Sequence, residues 1–420
     1  MRLIKLAVLI AATLALAFVG RASADDTIVL NDGTEITGEI VRELDGNIWL
    51  LEKIGTVEIE RFYAKTQIAD VMRDAPAVRD ADPREEERER RSVSRPGVPK
   101  GAVISLEGMV GMQMTSDKLR DLIPILEEEI GDDGTGIVVL KINSGGGYGY
   151  EVQRLSDVIH NEMKPKFRVV AWIESAISAA AMTSHAIEEI VFMPRGNYGA
   201  ATGWSGQLVA VKGRGLEEFL YQMEQISARG GYDHRIMRAM QISVPLSASI
   251  DTRNGEVQWF LDSDAGDMLV NPAGEILTFN SKNAYELGFS KGTASNLDEL
   301  TEILALEEID WVGKIDPSRI YPISKAEAEM IRFREKASED ESRFNEYMTN
   351  YNLAIGAAQG ANDDIRGALV ARARRQLRNV ISMVRNNPNV ALFILNVLPD
   401  DFPLWVEEQE EMLRDIARGP

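Results

Sequence analysis

The chain has 420 residues, no cysteine and a formal net charge of −20 at pH 7. So acidic a surface argues against binding nucleic acid or anionic lipid through bulk electrostatics. Without cysteine there are no disulfides, and three histidines without close spacing (His160, His185 and His234) argue against a structural zinc site, so no metal and no cofactor is expected. The composition is that of a globular protein, and the length predicts two to four domains.

Residues 1–24 have the pattern of a signal peptide. A basic start with Arg2 and Lys5 precedes an apolar run over residues 6–20, and residues 22–24 (Ala-Ser-Ala) supply a small-residue cleavage site. The apolar run is short for a bilayer span, and no later apolar run is long enough to be one. We therefore expect an exported protein, periplasmic or secreted, with no stable membrane span in its mature form. A retained N-terminal anchor is the alternative.

Residues 25–72 are predicted to form a small all-β domain. Turn signals at residues 31–33 (Asn-Asp-Gly), 45–46 (Asp-Gly) and 54–55 (Ile-Gly) separate short segments whose apolar residues fall mostly at even spacing. Five short strands of this kind can close into an SH3-like or Sm-like barrel. Residues 73–100 contain a run of charged residues and then Pro and Gly, which is typical of a solvated linker.

Residues 101–310 alternate apolar strands with helices, and this pattern predicts a parallel sheet covered on both sides. Strands are predicted at residues 103–106, 137–142, 169–173 and 190–193, and helices at 117–130, 152–163 and 178–186. Turn sequences at 251–255 and 271–274 predict an inserted β-hairpin. Residues 311–420 are predicted to be helical, with helices at 324–351, 362–385 and 404–416 separated by Gly356 and Gly360. They would form a helical hairpin or an oligomerisation arm.

The glycine loop over residues 145–147 follows one of the predicted parallel strands. It does not fit the dinucleotide pattern G-x-G-x-x-G, and no Gly-Lys-Ser/Thr follows, so a phosphate-binding loop is excluded. Two interpretations remain. The loop is either a tight turn that needs glycine for close packing, or a set of free backbone N–H groups able to stabilise an oxyanion.

Ser178 lies in a run of small residues at the predicted start of a helix. The run either packs closely against the sheet or leaves room for a substrate carbonyl over a nucleophilic serine, whose hydroxyl needs a base. His185 is about two helical turns further on, roughly 10 Å along the axis, which is too far unless the chain bends. Lys212 is a candidate base if burial keeps its amine neutral.

These segments resemble the ClpP/crotonase superfamily. Residues 138–147 (Val-Val-Leu-Lys-Ile-Asn-Ser-Gly-Gly-Gly) are similar to its strand and INSPGG loop, and residues 172–200 to its nucleophile segment. Ser178-Ala179-Ala180 stands where NfeD-type and signal-peptide-peptidase-A-like relatives carry Ser-Ala-Gly or a similar sequence. Residues 278–288 resemble a helix near the family's end, so that the resemblance covers roughly residues 101–305.

The resemblance implies a ClpP-like domain in which Ser178 is the nucleophile and Lys212 the base of a Ser-Lys dyad. Backbone N–H groups of Gly146 or Gly147, together with Ala179, would form the oxyanion hole. The chain has no histidine at residues 199–202, where the triad of ClpP proper would place one, so it fits the dyad type better. It also departs from the family pattern at two positions, with Gly145 for Pro and Ala180 for Gly.

Three functional hypotheses follow. The first is an exported serine peptidase that hydrolyses peptide or protein substrates and assembles as a homo-oligomer, as ClpP-like folds usually do. The second is a catalytically inactive scaffold or binding protein built on the same fold. The third, a crotonase-type enzyme for acyl-CoA, ranks lower because an exported protein meets little CoA.

Overall fold

The computed structural model describes residues 26–31, 33–44, 47–54, 57–63, 65–72, 97–205, 209–210 and 212–419. The predicted signal peptide and nearly all of the predicted charged linker lie outside the described residues. The chain divides into two compact units, one up to Val93 and one from Ser94 onward. Each unit is described by itself below.

The first unit is an antiparallel sheet of five strands. They are β1 (Asp26–Leu30), β2 (Glu35–Leu44), β3 (Asn47–Ile54), β4 (Val57–Tyr63) and β5 (Ile68–Met72), in the order β4-β3-β2-β1-β5. Strand β2 pairs with β1 at its start and with β3 further on, with a register shift between Ile40 and Arg42. Ile28, Ile48 and Leu50 form the buried centre. The all-β prediction for this segment is confirmed; among the described strands, no ladder joins β4 to β5.

The second unit is built on a six-stranded sheet. Its strands are β6 (Lys100–Glu107), β7 (Ile137–Ser144), β8 (Arg168–Ile177), β9 (Glu189–Gly199), β15 (Thr278–Asn280) and β16 (Asp310–Trp311), in the order β15-β9-β8-β7-β6-β16. Strands β6 to β9 are parallel, as their continuous apolar sequences predict, and β15 joins the edge in antiparallel orientation. The carboxyl ends of β7 and β8 therefore lie side by side, which brings the glycine loop next to Ser178.

Helices cover both faces of this sheet. One face packs against α1 (Ser116–Ile130), α2 (Gly149–Asp157, continued by a π-helical turn at Val158–Met163) and α3 (Ala179–Ser184). The opposite face packs against α7 (Leu297–Ile303). Thr115 caps α1, because its side-chain oxygen accepts a hydrogen bond from the Lys118 N–H at 3.2 Å. Pro124 lies inside α1 without ending it.

Smaller elements fill the chain between β9 and β16. They are β10 (Trp204–Ser205), β11 (Val209–Ala210), α4 (Arg214–Arg229), α5 (His234–Gln241), β12 (Leu246–Ile250), β13 (Val257–Phe260), β14 (Met268–Asn271) and α6 (Ser281–Glu286). Strands β13-β12-β14 form a separate antiparallel sheet, and the predicted turn at residues 251–255 joins β12 to β13. The inserted hairpin is thus present, with β14 as a third strand.

The C-terminal part is helical, as predicted. Its helices are α8 (Lys325–Gln359), α9 (Asp363–Asn386), α10 (Asn389–Phe393) and α11 (Phe402–Arg418). The prediction that Gly356 interrupts the first of them is wrong, because α8 continues to Gln359 and is followed by Gly360. Ser324 caps α8 by accepting a hydrogen bond from the Glu327 N–H at 3.0 Å. The Glu327 carboxylate is buried and accepts a hydrogen bond from the Ser105 N–H on β6 at 2.8 Å, so α8 is tied to the sheet.

The predicted fold class is therefore confirmed: a parallel-sheet α/β core, an all-β N-terminal segment and a helical C-terminal segment. Ala326, Met330 and Phe333 of α8 belong to the same apolar core as β6 to β8. The exact domain boundaries at residues 72, 100 and 310 stay predictions. In the part of the chain that the structure describes, no helix is both long and apolar enough to cross a bilayer.

Candidate active site

Ser178 occupies a sharp turn between β8 and α3. Its φ of 55° and ψ of −125° place it in a region that residues other than glycine rarely adopt, at a typical cost of about 1–3 kcal/mol. The turn is fixed by backbone hydrogen bonds from the Ser178 N–H to Gly199 O (2.9 Å) and from the Met182 N–H to Ser178 O (3.1 Å). The Ser178 hydroxyl does not cap α3. Within the part of the chain that the structure describes, this hydroxyl has no hydrogen-bond partner, and a strained strand-to-helix turn that presents a serine in this way has the geometry of a nucleophile elbow.

The glycine loop lies directly against this serine. A Cβ atom added to Gly146 would be 2.5 Å from the Ser178 Cβ and 3.1 Å from its Oγ, and Gly146 has a φ of +104°. Gly147, with a φ of +154°, approaches the backbone of Val110 on its other side equally closely. Both glycines are therefore required by conformation and by space. These contacts support the tight-turn interpretation of the loop, and the oxyanion interpretation stays a prediction.

The backbone N–H groups of the loop differ in availability. The Gly146 N–H donates to the Ser144 Oγ at 3.1 Å, and that hydroxyl donates to Gly108 O at 2.6 Å. Among the described residues, the N–H groups of Gly147 and Ala179 have no hydrogen-bond acceptor. Of the three predicted oxyanion donors, this geometry favours Gly147 and Ala179 over Gly146. Sequence reasoning did not identify Ser144, although its position directly before the glycine run is a usable signal.

Lys212 lies just before α4 and is exposed to solvent. No contact between Lys212 and Ser178 is found among the described residues, which omit 206–208 and 211 of this segment. The burial that a neutral lysine base requires is therefore not present in this arrangement.

His185, the alternative base, is fully buried at the end of α3. Its ring packs against Tyr198, Tyr232 and Phe289, and its Nδ1 lies 3.0 Å from the Tyr198 hydroxyl. Burial lowers the pKa of His185 to about 3, so the imidazole is neutral at ordinary pH. Its Nε2 has no partner among the described residues. These surroundings are those of a core side chain.

The small residues after Ser178 are part of the core. Ala179, Ala180 and Ala181 are all buried in the apolar cluster between α3 and the sheet. The methyl group of Ala180, where relatives carry glycine, is therefore accommodated by packing.

A charged cleft that the sequence did not reveal lies on the sheet face opposite α3. It has a volume of about 670 Å³ and is lined by Glu107, Lys141, Glu174, Arg195, Arg319 and Tyr321, among others. Lys141 is buried and forms ion pairs with Glu174 and Glu107. The pairing between β8 and β9 shifts register between Ile173 and Ser175, next to the cleft residue Glu174. In the described chain, no group of three His, Asp or Glu side chains is placed to hold a metal ion.

Comparison with known proteins gives one curated relative. The chain is 28% identical over 172 residues to the protein named "Membrane protein NfeD1b" of Bacillus subtilis (strain 168). The match covers 41% of this chain and 34% of the relative, so the chain spans about a third of that protein's length. No family model matches.

Two solved structures resemble the model more distantly. Both are alanine mutants of a protein described as the 1510-N membrane-bound stomatin-specific protease, one of them in complex with a substrate peptide. Each is 15% identical to this chain and covers 49% of it, with 85% and 80% of the other chain matched and TM-scores of 0.36 and 0.35. The curated relative does, at the level of sequence, confirm the predicted resemblance to NfeD-type proteins over about two fifths of this chain.

Proposed function

We propose that this chain is an exported serine peptidase in which Ser178 is the nucleophile. The observation that carries the proposal is the strained elbow at Ser178, whose hydroxyl has no hydrogen-bond partner among the described residues. This hydroxyl lies against a glycine loop in which the Gly147 N–H has no acceptor within that same part of the chain. A purely structural turn would not need a non-glycine residue in this conformation. The similarity to an NfeD-type protein supports the same reading.

In the proposed reaction, the Ser178 Oγ attacks the carbonyl carbon of a peptide bond while its proton passes to the neutral amine of Lys212. The carbonyl oxygen becomes an oxyanion that accepts hydrogen bonds from the N–H groups of Gly147 and Ala179. The intermediate then collapses, the C–N bond breaks, and the leaving amine takes the proton from Lys212. Water attacks the resulting ester by the same route and regenerates Ser178. No metal or cofactor takes part.

The exposure of Lys212 sets a condition on this dyad. For the dyad to operate, the Lys212 amine must approach Ser178 and lose its contact with water when substrate binds.

The test uses a fluorophosphonate probe, which labels activated serines, and unfolded casein as substrate. We expect the mature protein to be labelled and to cleave casein, and Ser178→Ala to do neither. Lys212→Ala and Lys212→Arg should both lower labelling and cleavage by at least about 100-fold, since a guanidinium stays protonated. Labelling that persists in Ser178→Ala would refute the nucleophile assignment. Full activity in Lys212→Arg would refute the dyad and leave Ser178 in place.

A second candidate function is that of a catalytically inactive scaffold. The exposed position of Lys212, without a contact to Ser178, favours it. It predicts no probe labelling and no casein cleavage by the wild-type protein under any condition, with normal folding.

Export and assembly belong to the same proposal. We expect the mature protein in the periplasm or outside the cell and as a homo-oligomer, although the curated relative is named a membrane protein. Cell fractionation, with N-terminal sequencing of the mature chain, distinguishes cleavage after residue 24 from a retained anchor. Light scattering after size exclusion measures the oligomer.

A further inference from the structure

The glycine loop is extended on one side by a turn over residues 108–114, called here the bracing turn. The Val110 N–H donates to Gly146 O at 2.9 Å, and the Tyr148 N–H donates to Val110 O at 3.0 Å. These two hydrogen bonds span Gly147 and form a short parallel bridge. The direction in which the Gly147 N–H points is therefore set by the position of Val110.

The bracing turn is itself held by the C-terminal helices. The Asn389 side-chain amide donates to Gly111 O at 3.0 Å, and that of Asn387 donates to Met112 O at 2.9 Å. Both asparagines are almost completely buried. The Met112 side chain is inserted into the apolar core formed by α8 to α11. Among the described residues, the Gly111 and Met112 carbonyls accept no backbone hydrogen bond, so these two amides satisfy them and tie the turn to the C-terminal segment.

The same C-terminal segment also contacts the residues that follow the glycine loop. The Phe393 ring stacks on Tyr148, with centroids 3.5 Å apart and planes 4° from parallel. Asn389 also donates to the buried carboxylate of Glu151 in α2, at 3.1 Å. Residues 387–393 thus contact both the turn before Gly147 and the chain after it.

We propose that Asn387, Asn389 and Phe393 are positioning residues that hold the glycine loop in the conformation able to bind an oxyanion. The catalytic effect of these residues rests on the proposed peptidase function. Their role in holding the loop does not depend on that function. A glycine-rich loop has many accessible conformations, and an oxyanion hole depends on donors fixed before the reaction. The helical C-terminal region, predicted from sequence as a hairpin or an oligomerisation arm, therefore acts on the candidate active site of its own chain.

The structural part is tested by hydrogen exchange with mass spectrometry. Compared with wild type, Asn389→Ala and Phe393→Leu should raise exchange at least about tenfold in peptides covering 108–114 and 145–150, because the local opening energy falls. Peptides covering β8 should not change. The control is Asn345→Ala, which removes an exposed asparagine on α8. If either variant unfolds as a whole, Asn387→Ala replaces it. Unchanged exchange in the loop peptides would overturn the proposal.

The catalytic part is tested by steady-state peptide hydrolysis. We expect Asn389→Ala to lower kcat about 10- to 100-fold while KM changes less than about threefold, since the donor is misplaced and the substrate contacts remain. Faster loop exchange with unchanged kcat would overturn the positioning role. A wild type that is inactive, together with faster loop exchange in the variants, would refute the peptidase and support the brace.

Discussion

The contact between Gly146 and Ser178 brings together two residues with a positive φ, of which only Ser178 is strained. Ser178 is held at a positive φ by the hydrogen bonds of its own backbone, and Gly146 leaves the space that its side chain occupies. Either residue replaced by a larger one would displace the other. The site therefore depends on the missing Cβ atom of Gly146 as much as on the hydroxyl of Ser178.

Gly146→Ala provides a test of this contact. The new methyl group would lie 2.5 Å from the Ser178 Cβ, and an L-residue at a φ of +104° is strained as well. We expect a loss of about 2 kcal/mol in the free energy of unfolding and loss of probe labelling. Gly145→Ala is the matched control, because nothing lies within 4 Å of its added Cβ. It should change stability by less than about 0.5 kcal/mol, measured by urea unfolding. Equal effects of the two substitutions would contradict the packing described here.

At the scale of elements, α3 ends in a histidine that the fold keeps neutral. The His185 ring is enclosed by three aromatic side chains, and its pKa of about 3 lies well below the usual 6.5. Between these two pH values the unfolded chain binds a proton that the folded chain does not. The free energy of unfolding therefore falls as the pH drops below about 6.5, by up to about 1.4 kcal/mol per pH unit.

His185→Phe should remove this pH dependence. Phenylalanine fits an aromatic cluster, and the Tyr198 hydroxyl keeps its hydrogen bond to Ala181 O at 2.6 Å. Between pH 7 and pH 5, we expect wild type to lose about 2 kcal/mol more than this variant. The control, His234→Phe, replaces an exposed histidine and should follow wild type. Parallel curves for wild type and His185→Phe in urea unfolding would show that the ring is not held neutral.

The elements of the sheet were predictable because their physics is local. Residues 137–142 are apolar except for Lys141, a pattern typical of a strand buried on both faces. Each predicted strand extends beyond its predicted ends by up to six residues. Helix α5 was missed, as was the role of Glu327, whose carboxylate accepts from β6 rather than capping its own helix. That contact joins residues more than two hundred positions apart, and no spacing rule reports it.

Like the fold, the candidate site was predictable where it depends on strand order and not where it depends on distant contacts. Parallel strands bring their carboxyl ends to one edge, so the juxtaposition of the glycine loop with Ser178 followed from the strand order. Ser178 and Lys212 were candidates from the residues themselves, their pairing as a dyad was implied by the resemblance, and the dyad remains a prediction. Asn387 and Asn389 could not be found, because nothing local distinguishes a buried asparagine that braces a distant turn from one that ends a helix.

At the scale of the whole molecule, the two units have separate apolar cores. The first is centred on Ile28, Ile48 and Leu50, and the cores of the second contain residues from Ala102 onward. Units with their own cores are able to fold alone. The first, however, is small, and a sheet of this size buries a small fraction of its surface. Its stability should be marginal, whereas the second unit is large enough for a cooperative core.

Calorimetry of the mature protein should therefore show two transitions. Unfolding enthalpy scales with length at about 0.7 kcal/mol per residue, which gives about 30 kcal/mol for residues 26–72 and about 230 kcal/mol for the second unit. We expect the small transition at the lower temperature. A chain that starts at Ser94 should lack it, keep the midpoint of the large transition within about 2 °C, and keep probe labelling, because Ser178, the glycine loop and the residues that brace it all lie beyond that point. A single transition that shifts by many degrees on truncation would mean that the second unit depends on the first for its stability. The units divided between Val93 and Ser94 would then not be independently stable.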